Sequence, residues 1–180
     1  VHRRRHLRAV EALSGVRVPK KGKPYSIAAA LVLGLAAGAA VRLLDIRTEF
    51  LGNLFSRLPV WILICTALSV YSASPAYAAA KVFCFCAGML CTYYLTAELT
   101  HGVYGMSFVF GWCAVTLLSP LAAAAAWYAG GQGPAARIIG AGIISVMLLS
   151  AWLLSVRIRF SDLVCAALCA PIVFRRAHAA

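Results

Sequence analysis

The residues best equipped for chemistry are scarce: Glu11, Asp45, Glu49, Glu98 and Asp162 are all the carboxylates in a chain of 180 residues. Apart from Glu11, each falls near the edge of an apolar run and keeps basic company. Arg42 precedes Asp45, Arg47 and Arg57 flank Glu49, His101 follows Glu98, and Arg157 and Arg159 precede Asp162. Ionisable groups at membrane depth are expensive unless paired or hydrated, which makes them default markers of a site. Groups within a turn of a helix end can instead snorkel to water. Two readings follow: a solvated, structurally paired rim, or a substrate vestibule built from Arg42, Asp45, Glu49, Glu98 and Asp162.

Other chemistries find little support. Cys65, Cys84, Cys86, Cys91, Cys113, Cys165 and Cys169 all lie inside apolar runs and form no CxxC pair, so small apolar packing accounts for them better than a metal or a disulfide. Cys165 and Cys169 share a helix face, but no histidine cluster accompanies them. An intramembrane protease would need a nucleophile with a base, or paired aspartates, within the bilayer. Gly105-Met106-Ser107 lacks the second glycine of a serine elbow, and the histidines are only His2, His6, His101 and His178. No HExxH, P-loop or nucleotide-binding glycine pattern occurs. No enzyme activity, metal or cofactor is expected.

The elements that must position these groups are membrane helices. A mean hydropathy of +0.86, with 63% hydrophobic and 12% charged residues, excludes an ordinary soluble domain. A spanning helix needs roughly 20 mostly apolar residues, fewer where partners shield a short one. Six segments qualify: about Ser26 to Leu44, Leu58 to Ser72, Ala76 to Leu99, Tyr104 to Ala129, Ala135 to Val156 and Phe160 to Phe174. Ser74-Pro75 breaks the second from the third, and Gly130-Gly131-Gln132-Gly133-Pro134 turns the fourth into the fifth. The expected fold is all-α, a polytopic helical bundle with short loops. Residues 1–25 form a basic cytoplasmic arm, 26–174 the transmembrane domain and 175–180 a cytoplasmic tail.

Three local features refine this picture. Ala30, Gly34 and Gly38 recur every fourth residue and give the first span a small-residue face for close helix packing, within the bundle rather than as a dimer seam. Pro120 removes a backbone donor well inside the fourth span and predicts a kink. Between Asp45 and Arg57, the apolar residues Ile46, Phe50, Leu51, Leu54 and Phe55 fit an interfacial helix. Gly52-Asn53 and Leu58-Pro59 leave a re-entrant turn open.

Orientation follows from Lys and Arg, which the cytoplasmic side retains. With six spans both termini share the side that collects Arg3, Arg4, Arg5, Arg8, Arg17, Lys20, Lys21, Lys23, Lys81, Arg137, Arg175 and Arg176. The opposite side holds Arg42, Arg47, Arg57, Arg157 and Arg159. Both termini are therefore expected in the cytoplasm. Tyr25, Trp61, Tyr77, Trp127, Tyr128 and Trp152, near span ends, suit interfacial aromatic belts. The formal charge of +12 could point to nucleic acid, but His2-Arg3-Arg4-Arg5-His6 has no interleaved aromatics. A topology signal that touches anionic lipid is the better account of the arm. No cleaved signal peptide is expected, because the first apolar run leads into more membrane segments. The chain opens on Val1 rather than Met, so part of the arm need not belong to the mature protein.

Leu51-Gly52-Asn53 followed by Leu58-Pro59-Val60-Trp61-Ile62-Leu63-Ile64-Cys65-Thr66 resembles a family of small, uncharacterised bacterial six-span membrane proteins. Cys86-Ala87-Gly88-Met89, Tyr93-Tyr94, and Trp112 with Ser119-Pro120 extend the resemblance over roughly Leu33 to Trp127. It implies a bacterial inner-membrane location and carries over no functional residue. The architecture is also similar to the substrate-binding subunits of energy-coupling-factor vitamin transporters, without a matching ligand-loop motif. Two function classes remain. One is a small-solute transport or substrate-capture component. The other is a structural or regulatory membrane protein that assembles with itself or a membrane partner through its helices.

Overall fold

The computed structural model describes residues 25–48, 52, 54–55, 57–102, 104–131, 133–155 and 159–174. These include six helices: α1 (Tyr25–Arg47), α2 (Leu58–Val70), α3 (Pro75–Leu99), α4 (Met106–Ala129), α5 (Pro134–Ser155) and α6 (Phe160–Phe174). The basic arm, the C-terminal tail and Glu49 lie outside the described residues. Sequence punctuation sets the helix starts. Ser74 accepts the Tyr77 N–H at 3.2 Å and caps α3 ahead of Pro75. Gly133, at φ 100°, takes a turn conformation open to glycine before Pro134 begins α5.

Four helices, α1, α3, α4 and α5, are long and apolar enough to cross a membrane. α2 and α6 have 13 and 15 residues. At a rise of about 1.5 Å per residue they reach about 20 and 22 Å, short of a core of about 30 Å. The two pack on each other, with α5 beside α6. The outer faces are apolar too: Phe110 is 70%, Leu121 72% and Ile138 73% exposed. Helices that are apolar all round have lipid rather than water as their solvent.

The most extensive helix contact joins α1 to α3, and its cause is small residues. A Cβ on Gly34 would collide with the carbonyl of Phe85, and one on Gly38 with the carbonyl of Met89. From the other side, Gly88 of α3 would place a Cβ 3.0 Å from the Leu31 carbonyl. Ala30 is buried on the same face, and the Thr92 hydroxyl donates across the seam to the Leu35 carbonyl at 2.8 Å. The small-residue face is thus used inside the bundle.

Two clusters form the core. Ala30, Val41, Trp61, Val82, Phe85, Cys86, Met89 and Ala123 join α1 to α4. Ala129, Met147, Cys165, Cys169 and Val173 join α4, α5 and α6, with Ile62 and Leu63 of α2 packed against them. The cysteines are free, and Cys65 and Cys86 stand with sulfurs 3.7 Å apart as part of this packing. α4 continues through Pro120. A proline orphans the carbonyl four residues earlier, that of Thr116. The Ser119 hydroxyl donates to that carbonyl at 2.8 Å, so the helix persists.

Two of the expected belt tryptophans are core residues. Trp61 is 7% exposed and donates to the Phe55 carbonyl at 2.7 Å, and Trp127 is 1% exposed and donates to the Ser72 carbonyl at 3.0 Å. An indole N–H can be buried wherever a nearby helix end or loop offers a carbonyl, and both sites do. Tyr128 and Trp152 remain exposed, as an interfacial position requires.

Candidate functional site

The chain reverses direction at each connection, so the C-terminal ends of α1, α3 and α5 meet the N-terminal ends of α2, α4 and α6. This end of the bundle carries Arg42, Asp45, Arg57, Glu98 and Asp162. The Arg42 guanidinium donates to the Asp45 carboxylate at 2.9 Å, one turn apart on α1. Its far side lies under the turn that ends α3, where a Cβ on Gly102 would strike it. That turn is a helix stop with reciprocal bonds: Gly102 N–H donates to Ala97 O at 2.8 Å and His101 N–H to Glu98 O at 3.1 Å. His101 sits at φ 50° in the left-handed position where glycine is usual.

Glu98 is exposed and accepts the Tyr104 hydroxyl at 2.7 Å. Hydrogen bonding to that carboxylate, and the carboxylate's own charge, push the Tyr104 phenol above its ordinary pKa. The bond holds Tyr104 against Tyr94, with ring centroids 5.1 Å apart, and Tyr94 in turn meets Tyr93 edge to face at 5.3 Å.

Asp162 stands apart from this group. Its side chain is 1% exposed and that of Arg57 8%, and the two form a buried ion pair bridging the entrance of α2 and the start of α6. Asp162 also accepts the Arg159 backbone N–H at 2.8 Å, capping α6 from its third position. Both of these contacts hold helix ends in place. Of the proposed vestibule residues, the fold brings Arg42, Asp45 and Glu98 to one neighbourhood and commits Asp162 to a seam between helices.

A cavity of about 300 Å³ opens beside Asp45. Asp45 is the one carboxylate, and no Lys, Arg or His joins it, on a wall otherwise made by Val41, Gly52, Phe55, Trp61, Met89, Leu90, Tyr93, Tyr94, Tyr104, Gly105, Phe108 and Trp112, among the described residues. The described part of the connector after α1 folds over this space: Gly52 is buried against Asp45, and Phe55 packs on Trp61 with centroids 6.2 Å apart. Tyr104 and Phe108, 37% and 71% exposed, stand at the rim and leave the cavity reachable from outside the bundle.

Sequence reasoning over carboxylates missed this aromatic wall. Its signal was the close succession of Tyr93, Tyr94, Tyr104, Phe108 and Trp112 about one helix connection. Among the described residues no three His, Cys, Asp or Glu side chains converge as metal ligands. No protein-family model, curated protein or solved structure matches the chain. The cavity's chemistry must therefore be argued from its own side chains.

Proposed function

We propose that the chain captures a small water-soluble solute at the membrane surface, as a transport or substrate-capture component. The observation carrying this reading is the aromatic-walled cavity beside Asp45, whose volume of about 300 Å³ is that of a small-molecule site. Such sites combine an apolar, aromatic lining with a few placed polar groups. The resemblance noted above supports a bacterial plasma membrane location, and the Lys and Arg distribution supports both termini in the cytoplasm, which directs the cavity to the opposite face. Gly34 and Gly38 are occupied by α3, so the assembly alternative would use another helix face or the basic arm.

Gly105 lines the cavity, and a Cβ there would meet nothing nearer than Phe108 at 3.7 Å, so a bulky side chain can be started at this wall, as in Gly105→Trp. The nanodisc-embedded chain is screened for thermal stabilisation by water-soluble amines, amino acids, vitamins and sugars. At least one class should raise the Tm of the parent and not of Gly105→Trp. Stabilisation by none, or equal stabilisation of both chains, would remove the capture reading.

A further inference from the structure

The cavity wall selects by charge as well as by shape. No lysine, arginine or histidine lines it among the described residues, so a carboxylate or phosphate ligand would be desolvated without a partner. Few lining groups can satisfy the many hydroxyls of a sugar. What the wall offers in abundance is aromatic rings: Trp61, Tyr93, Tyr94, Tyr104, Phe108 and Trp112. Ring faces attract a cation within about 6 Å of their centroids, tryptophan and tyrosine best, and clusters of them are the recurrent receptor for substituted ammonium groups.

One carboxylate acts on the rim rings directly. Arg42 and Asp45 neutralise each other at 2.9 Å, and Arg42 does not itself line the cavity. Glu98 joins neither of the two ion pairs found among the described residues and instead accepts from Tyr104. A phenol donating to a carboxylate carries a more electron-rich ring, so Tyr104 is the best cation acceptor on the rim. The Tyr104–Glu98 hydrogen bond therefore sets an electron-rich ring at the mouth of an aromatic box.

We infer that the cavity binds an organic cation, a substituted or quaternary ammonium on a small apolar body. The inference rests on the capture reading and deepens it. Shape and charge are separated by three probes of like size: choline, its carbon isostere in which a tert-butyl group replaces the trimethylammonium head, and the anion pivalate. Binding to the full chain in nanodiscs is followed by quenching of Trp61 and Trp112 fluorescence and by calorimetry. Choline should bind at least about tenfold more tightly than the isostere, which corresponds to about 1.4 kcal/mol. Tyr94→Leu should weaken choline about tenfold, while Tyr94→Phe, which keeps the ring, should stay within about threefold of the parent. Tyr104→Leu on the exposed rim repeats the test should Tyr94→Leu fail to fold. Isostere binding as tight as choline, or tighter pivalate binding, would overturn the cation class and leave solute capture standing. Binding of none of the three would overturn the cation class, and the Gly105→Trp screen then decides the capture reading by itself.

Discussion

Replacing Asp162 by Asn removes one charge from the Arg57 pair and little else. The amide retains an oxygen to accept the Arg159 N–H, so the cap of α6 survives and the charge is isolated. With side chains 1% and 8% exposed, neither partner has water to fall back on. Removing one member of a buried pair costs about 3–5 kcal/mol, because the other is left charged and unpaired. At about 1.4 kcal/mol per decade, the unfolding equilibrium should shift by roughly two to three and a half decades. SDS titration in mixed micelles, followed by circular dichroism and tryptophan fluorescence, measures it. Arg57→Gln should be similarly damaging. The double variant Arg57→Gln/Asp162→Asn, a neutral pair able to hydrogen bond, should recover at least about 2 kcal/mol of the summed loss. A single-variant cost below about 1 kcal/mol, the range of a solvated surface pair, would refute the buried-pair argument. So would a double variant equal to the sum of the singles within about 0.5 kcal/mol.

Glycine substitutions should split by position. Gly34→Ala, which drives a Cβ into the Phe85 carbonyl, should destabilise by about 1–3 kcal/mol in the same titration, as overpacking does. Gly142→Ala, whose Cβ meets nothing within 4 Å, should stabilise by about 0.5–1 kcal/mol. Ser119→Ala should cost about 1 kcal/mol by removing the donor that answers the Thr116 carbonyl below Pro120, and Ser119→Thr should restore most of it. The Tyr104 phenol should ionise above the ordinary value of about 10, read as tyrosinate absorbance lost in Tyr104→Phe, and Glu98→Gln should bring it back down. Because its folded pKa is the higher one, its contribution to stability is complete below about pH 10 and fades as pH rises through the folded value. Indifference of that titration to Glu98→Gln would remove the hydrogen bond as its cause.

Helix positions were legible because apolar runs are punctuated by residues with strong local preferences. Ser74-Pro75 and Gly133-Pro134 mark helix starts that the backbone respects, and Phe160–Phe174 coincides at both ends with its apolar run. The spacing of Gly34 and Gly38 foretold a close approach, but not which helix approaches, since any apolar neighbour with a glycine would serve. Arg42 and Asp45 are local enough, one turn apart, for their pairing to be read from spacing. Arg57 and Asp162 are separated by 105 residues, and nothing in either neighbourhood names the other. The aromatic wall was obscured for a different reason. Rings near helix ends suit a lipid interface as well as a pocket, and only the packing of α3 against α4 turns Tyr93, Tyr94 and Trp112 toward a common space.

The cavity lies between two parts of the fold held by different means. On one side α1 and α3 are locked by backbone contact at Gly34, Gly38 and Gly88, supplying Val41, Asp45, Met89, Leu90, Tyr93 and Tyr94 to the wall. On the other, Phe55 and Trp61 flank Arg57 in the chain, so the ion pair with Asp162 fixes their segment against α6. Neither side yields without breaking a seam or a buried charge pair. The rim, Tyr104, Gly105 and Phe108 about the start of α4, is tied across the cavity mouth by the Tyr104–Glu98 hydrogen bond and the Tyr94–Tyr104 ring contact. Both are single contacts at an exposed rim. On the capture reading a solute enters where opening costs least, past Tyr104, and the residue that closes the mouth is the one whose ring and hydroxyl are both engaged at the rim.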